Sequence, residues 1–511
     1  LNMYIYPDPK TTDPKQRFWQ RFFEMLPAIL AWGTFIGLIG LSFVLPFQVA
    51  LFVLIFDLYW LFKAIYLSAH LIVAYRQMKK DVKINWLDKA KAIDGFDSIN
   101  HIIMFLTYDE SPQVLAQSIK SLTKMDYPLD RVIVVVATEE REGEARHTKE
   151  KYLKQKFKGV FRDFIITTHP DGIEGEMKAK GANATYAAKK MKEYLEQKNI
   201  AIDKTIISVF DSDTVSHPKY FAALTYEFLA SDNPHKHSYQ PLPMYHNNIW
   251  DAPAFTRVVA ISSSFWHMME SVRFDRMVTF SSHSMSFKTL LKVNYWPVNM
   301  VSDDSVIYWK CVNYYNGDYS VIPIHIPVSL DAVQAHNPIQ AFKNQYLQMR
   351  RWAWGIENLA TTMRSYAINS KAPLRDRIRR IGNMIEGHYT WATSAFILAI
   401  FPLVPIWFGG DAFRNTVFAN TLPINASIIM NITLLGLIIT AYINILLLPP
   451  RPKRYSWWRV AMMYLQWIFI PFVAIFLGAL PAIEAQTRLL FGKYLGFWVT
   501  PKVRTNNNSK K

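Results

Sequence analysis

Cysteine is almost missing from this 511-residue chain, which carries only Cys311. A lone cysteine excludes an intramolecular disulfide and any cysteine-rich metal site. Repeats and low-complexity runs are also absent. The formal charge of +17 comes with no nucleic-acid motif, so nucleic acid is not an expected partner. Much of the excess lies beside apolar spans, which fits the positive-inside rule and an anionic lipid surface. A cleavable signal peptide is not expected, because the first apolar span is long and a second follows at once.

Apolar and aromatic residues are plentiful: 51% hydrophobic, 15% aromatic, with 16 Trp. They pile up before residue 76 and after residue 389, around a middle that reads as soluble α/β. After a polar cytoplasmic segment (1–24), a transmembrane hairpin is expected over 25–76. Leu26 to Leu45 holds no charge, Pro46-Phe47-Gln48 make the turn, and a second span runs to about Tyr75. Arg17 and Arg21 before it and Arg76, Lys79 and Lys80 after it place both ends in the cytoplasm. Asp57 and Lys63 lie inside the second span, about 120° apart around a helix, and are poor partners for each other. Charges at that depth favour an interior or functional role. Amphipathic interface helices are expected over 336–385, a C-terminal transmembrane region over 386–485 and a cytoplasmic tail over 486–511. Spans at about 389–409, 426–448 and 460–480 bring the crossings to five and put the tail outside. Arg488, Lys493, Lys502 and Arg504 argue for the inside, and a broken, re-entrant segment at Pro471 would reconcile the two.

Between these regions, residues 77–335 alternate short strands with helices, the rhythm of a doubly wound parallel sheet. Thr205 to Asp213 is the stretch to watch. Ile206, Ile207, Val209 and Phe210 read as a buried strand that ends at Asp211-Ser212-Asp213. Open α/β sheets bind ligands at that end of their strands. Two carboxylates there suit Mg²⁺ or Mn²⁺ with positions left for phosphate oxygens, or else a solvated cap on the next helix. Ser302-Asp303-Asp304 offers a carboxylate able to take a proton from a hydroxyl. Gln348, Arg351 and Trp352 share one helix face, where arginine matches phosphate oxygens and an indole ring stacks on sugars. An interfacial helix with Trp and Arg at the headgroups reads the same way. Phe497 to Lys502 adds an aromatic-hydroxyl-lysine string.

In this order the segments D211-S-D213, S302-D-D304, Q348-M-R-R351-W352 and F497-W-V-T500-P-K502 resemble the processive family 2 glycosyltransferases, such as the cellulose, hyaluronan and chitin synthases. The resemblance covers about residues 100 to 502. It implies an α/β GT-A (Rossmann-like) cytoplasmic domain combined with an α-helical transmembrane region in the plasma membrane. It further implies inverting transfer from a nucleotide-sugar donor, a UDP-sugar, to a growing polysaccharide, with Mg²⁺ or Mn²⁺ as cofactor. Asp304 would be the base, Asp213 would bind the metal and Asp211 would contact the diphosphate. Lys180 and Arg351 would meet the phosphates, Gln348, Trp352 and Asp303 the acceptor. Thr107, Tyr108 and Glu110 would form the nucleobase pocket, with Thr500 and Lys502 on a lid over the nucleotide. An aspartate expected after the second strand is missing, and Glu139 stands in its place. The acceptor motif begins Ser-Asp where Thr-Glu is usual. The spans that follow the lid in larger synthases are not in this sequence, so a complete polymer channel is not implied. His283 reads as a structural histidine, or else as a lining of the acceptor site.

Two other readings stand beside this one. A glycolipid synthase would use the same chemistry once, on a lipid-linked acceptor, in place of a growing glycan. A non-catalytic scaffold or transporter would explain Asp57 and Lys63 but gives no role to carboxylates at a strand end. The sequence leaves open an accessory secretion subunit and a homo-oligomer.

Overall fold

The computed structural model describes residues 6–368 and 371–500. Its centre is a sheet of eight strands: β1 (Asn100–Leu106), β2 (Val132–Glu139), β3 (Asp163–His169), β4 (Thr205–Asp211), β5 (Val215–Ser216), β6 (His237–Met244), β7 (Ser284–Ser286) and β8 (Ser320–Ser329). They lie in the order β3-β2-β1-β4-β7-β6-β8-β5. The first four are mutually parallel, but β7 runs antiparallel to both β4 and β6. The expected all-parallel sheet is thus corrected to a mixed, curled one, a Rossmann-like GT-A core. Alternation of side chains explains the unbroken apolar run of β1. Ile102 and Met104 face Ala184 and Met191 of the helix Lys180–Gln197. Ile103 and Phe105 face Leu115 and Ile119 of the helix Pro112–Leu122, which Ser111 caps.

Four helices are long and apolar enough to cross a membrane: Pro14–Val44, Pro46–Asp81, Val417–Leu447 and Trp457–Leu490. They make this a multi-pass membrane protein with a cytoplasmic catalytic domain. The expected span at 389–409 is instead the end of the helix Leu374–Ala399, a turn and a short helix Val404–Phe408. It still reaches the far tip of the hairpin, where Phe408 packs 5.0 Å from Phe43. The last apolar helix behaves differently. Near its start Arg459 donates to Trp250 O of the catalytic domain at 2.7 Å. At its end Leu489 O and Leu490 O accept from Arg21, in the first turns of the hairpin. Its start is thus tied to the catalytic domain and its end to the first helix. Its path is 3₁₀ over Gln466–Phe469 and π over Val473–Ala479, flanking Pro471. The strip beyond it reaches the catalytic domain, where Phe497, Val499 and Thr500 line a cavity.

Candidate active site

The chain reverses its direction of strand addition between β1 and β4, where Leu106 is paired with Asp211. A crevice opens at the carboxyl ends of such strands. Here it widens into a cavity of about 830 Å³, reached by Lys180, Asp211, Asp213, Asp304 and Arg351.

Asp211 ends β4. It accepts from Ser281 Oγ at 2.5 Å and sits 3.0 Å from Lys180 Nζ. Asp213 is buried in the loop beyond, where its Oδ2 accepts from the Asp331 amide at 2.9 Å. Asp303 and Asp304 open the helix Asp303–Tyr314. Both oxygens of Asp304 lie 3.0 Å from Lys180 Nζ, so one ammonium bridges the strand-end carboxylate and the helix-start carboxylate. Burial works against that ammonium, but the Asp211 and Asp304 carboxylates overcome it and raise its pKa. Burial, and then the Asp304 charge, push Asp303 up to about 8. Lys180 comes this close because Gly181 follows it. A Cβ at Gly181 would sit 2.4 Å from Pro297 O and 3.0 Å from Asp303 Cβ.

The helix Pro338–Ala353, capped by Asn337, brings Gln348, Arg351 and Trp352 to the same cavity. Gln348 accepts from Gln345 at 3.0 Å, and the Trp352 ring lies 6.3 Å from Tyr245. The C-terminal strip closes over this helix, placing the Phe497 ring 5.1 Å from the Arg351 guanidinium. Thr500 also lines the cavity, whereas Lys502 lies outside the described residues. Among the described residues, five that line the cavity carry a buried polar atom without a hydrogen-bond partner: Asn183 Oδ1, Arg351 Nε and Thr500 Oγ1, and Trp60 Nε1 and Arg273 Nε. An unsatisfied buried polar atom costs about 1–3 kcal/mol, so such a set points to a polar ligand.

Thr107, Tyr108, Glu110 and Glu139 gather at the ends of β1 and β2 and line one end of the cavity. Thr107 Oγ1 and the Tyr108 amide both donate to Glu110 at 2.9 Å, and Lys149 donates to Thr107 at 3.0 Å. Glu139 pairs with Arg141 at 2.5 Å, and that guanidinium lies 4.0 Å over the Tyr108 ring. His283 is fully buried behind Asp304, with Nδ1 donating to Phe280 O at 2.9 Å and burial lowering its pKa. Sequence reasoning passed over Ser281, Asp331, Lys149 and Arg141, single polar residues in loops or on a helix with no pattern to mark them.

The carboxylates suit a hard divalent cation, since Asp211 and Asp213 both line the cavity beside the unpartnered polar atoms. Among the described residues no group of three or more His, Cys, Asp or Glu could hold a metal by itself. A cation here would share the aspartates with phosphate oxygens.

Opposite this end, the cavity continues among membrane helices. Trp60 and Lys63 line it from the second helix, Trp391 and Ser394 from Leu374–Ala399, and Val473 and Gly478 from the π-helical turn. Lys63 finds its partner here, Glu386 at 2.5 Å, and Arg276 approaches the same carboxylate at 2.6 Å.

The sequence model of the family described as Glycosyl transferase family group 2 matches residues 206–483. No curated protein matches the chain. Among solved structures, the mannosyltransferase PcManGT from Pyrobaculum calidifontis, in complex with GDP-Man and Mn²⁺, aligns with 86% of this chain and 100% of its own at 14% identity and a TM-score of 0.44. The 1–349 fragment of S. aureus TarS, in complex with UDP-GlcNAc, aligns with 64% of this chain and 92% of its own, at 14% identity and a TM-score of 0.32.

Proposed function

The chain belongs to glycosyl transferase family group 2, and from that premise we propose that it moves a sugar from a UDP-sugar to a growing polysaccharide at the membrane, with inversion. The observation that carries this reading is the Lys180 bridge between Asp211 and Asp304, in one cavity with Asp213 and Arg351. The diphosphate lies against Lys180, Asp211, Arg351 and Thr500, and the base against Thr107, Tyr108, Glu110 and Glu139. Asp211 and Asp213 would hold Mg²⁺ or Mn²⁺, which would supply positive charge to the leaving diphosphate.

An acceptor hydroxyl, held by Trp352, Gln348 and Asp303, attacks the anomeric carbon. The new C–O bond forms as the bond to the diphosphate breaks, and Asp304 takes the hydroxyl proton. Arg351 and Lys180 receive the charge that develops on the diphosphate oxygens. Asp303, buried and held neutral, leaves Asp304 as the proton acceptor of the pair. The arm of the cavity among the membrane helices supports an acceptor longer than one sugar, and its aromatic wall suits sugar faces. A lipid-linked acceptor would use the same arm with a single transfer.

Purified protein with Mg²⁺ or Mn²⁺ and a panel of UDP- and GDP-sugars tests the proposal. Nucleoside diphosphate release with a UDP-sugar is expected, together with products of increasing mass. Release with one added sugar per lipid moves the reading to a glycolipid synthase. Absence of release from every donor overturns it.

A further inference from the structure

Behind the cavity wall, at the end of the 3₁₀ turn Trp354–Glu357, Glu357 accepts four hydrogen bonds. Its Oε1 takes the amides of Val301 at 3.1 Å and Ser302 at 2.9 Å, and the Ser302 hydroxyl at 2.6 Å. Its Oε2 takes Trp354 Nε1–H at 2.8 Å. Burial raises the pKa of this carboxyl, against the pull of those donors. Ser302 is the N-cap of the helix Asp303–Tyr314, yet its side chain makes no capping bond. Its hydroxyl is turned instead toward Glu357 and Asn358.

We infer that Glu357 is the positioning residue for proton transfer: it fixes the turn at Val301–Ser302 that aims Asp304, and ties it to the helix bearing Arg351 and Trp352. The inference rests on the glycosyl-transfer reading above. Two converging amides just before a helix are satisfied by this one carboxylate, which also sits favourably at the positive end of the helix. Asp304 is the second residue of that helix, so a tilt at its start moves the carboxylate directly. The turn holding Glu357 follows without a break from Pro338–Ala353. The Arg351 helix is held separately by Tyr346 and Arg350 to Glu484, so losing the Glu357 contacts frees the start of Asp303–Tyr314 and not the donor clamp. Asn358 adds a second stitch, donating to Ser305 Oγ at 2.8 Å.

Glu357→Gln tests this in the full-length protein. The amide oxygen can keep the Val301 and Ser302 donors, but its NH₂ then faces Trp354 Nε1–H, donor against donor. Affinity for UDP should stay near the wild-type value while kcat for transfer falls on the order of 10- to 100-fold, the cost of a misplaced reacting group. Trp354→Phe in the Glu357→Gln background removes the facing N–H and should restore much of kcat. A third variant, Ser302→Ala, takes away only the hydroxyl bond and should lower kcat at unchanged donor KM. Full transfer by Glu357→Gln, UDP affinity falling in step with kcat, or no recovery in the double variant overturns the inference. Wild-type protein is assayed first: if it turns over no donor, the failure lies with the proposed function and not with Glu357.

Discussion

Asp303 and Asp304 are neighbours in sequence and occupy different surroundings. Asp303 is 4% exposed, whereas the Asp304 side chain is 25% exposed and bound to Lys180. The folded chain keeps a proton on Asp303 that the unfolded chain releases above about pH 4. Its raised pKa therefore favours the fold at low pH, and that contribution is lost as pH rises toward about 8. Asp303→Asn imitates the neutral acid. It should keep most of the transfer activity, and its melting temperature should fall less than that of the wild type between about pH 6 and about pH 8.5. Asp304→Asn should bind UDP normally and lose transfer by about 10²–10⁴-fold, as expected for removal of a general base. Should Asp303→Asn be the dead variant, the roles of the two are exchanged. Asp213→Asn is expected to insert and fold yet release almost no UDP, and full activity in excess chelator would dismiss the cation. At this scale the acidic pair was legible, because carboxylates that end an apolar strand stand out. Ser281 and Asp331, which hold Asp211 and Asp213, were not, since each reaches its partner across a fold that no local spacing reveals.

Elements carry the next level. Gly181 lets the helix Lys180–Gln197 press against Pro297 O, so Gly181→Ala must push that helix away from Asp303. Overpacking of this kind costs about 1–3 kcal/mol, and here it also lengthens the Lys180–Asp304 contact. A lower melting temperature together with weaker UDP affinity is the expected pair of readouts. The parallel half of the sheet was readable from its rhythm of strand and helix. The mixed half was not. Its β7 is only Ser284-Met285-Ser286, and β6 contains Pro241 and Pro243, which argue against a strand. Those prolines are tolerated because β6 pairs with β7 only through Ser238 and Tyr239, leaving the edge beyond them unpaired on that side. A register shift at Pro241/Leu242 accommodates them against β8.

For the whole molecule, the number of crossings decides whether the C-terminal strip can meet the nucleotide. Composition counts Trp457–Leu490 as a span, while its ends are tied to Trp250 and to Arg21. A Lys493→Cys variant in a Cys311→Ser background checks this. An impermeant thiol reagent should label it in inverted vesicles and not from outside intact cells. Deleting residues 497–511 should leave insertion intact and cut transfer strongly, measured as UDP release. The strip is also moored. Tyr494 donates to Glu24 at 2.8 Å, and Arg21 of the same helix holds Leu489 O and Leu490 O. From Tyr494 to Thr500 a fully extended chain spans at most about 20 Å. The mooring thus acts as a leash: were Thr500 to leave the cavity, it could stray no farther than that radius from Tyr494.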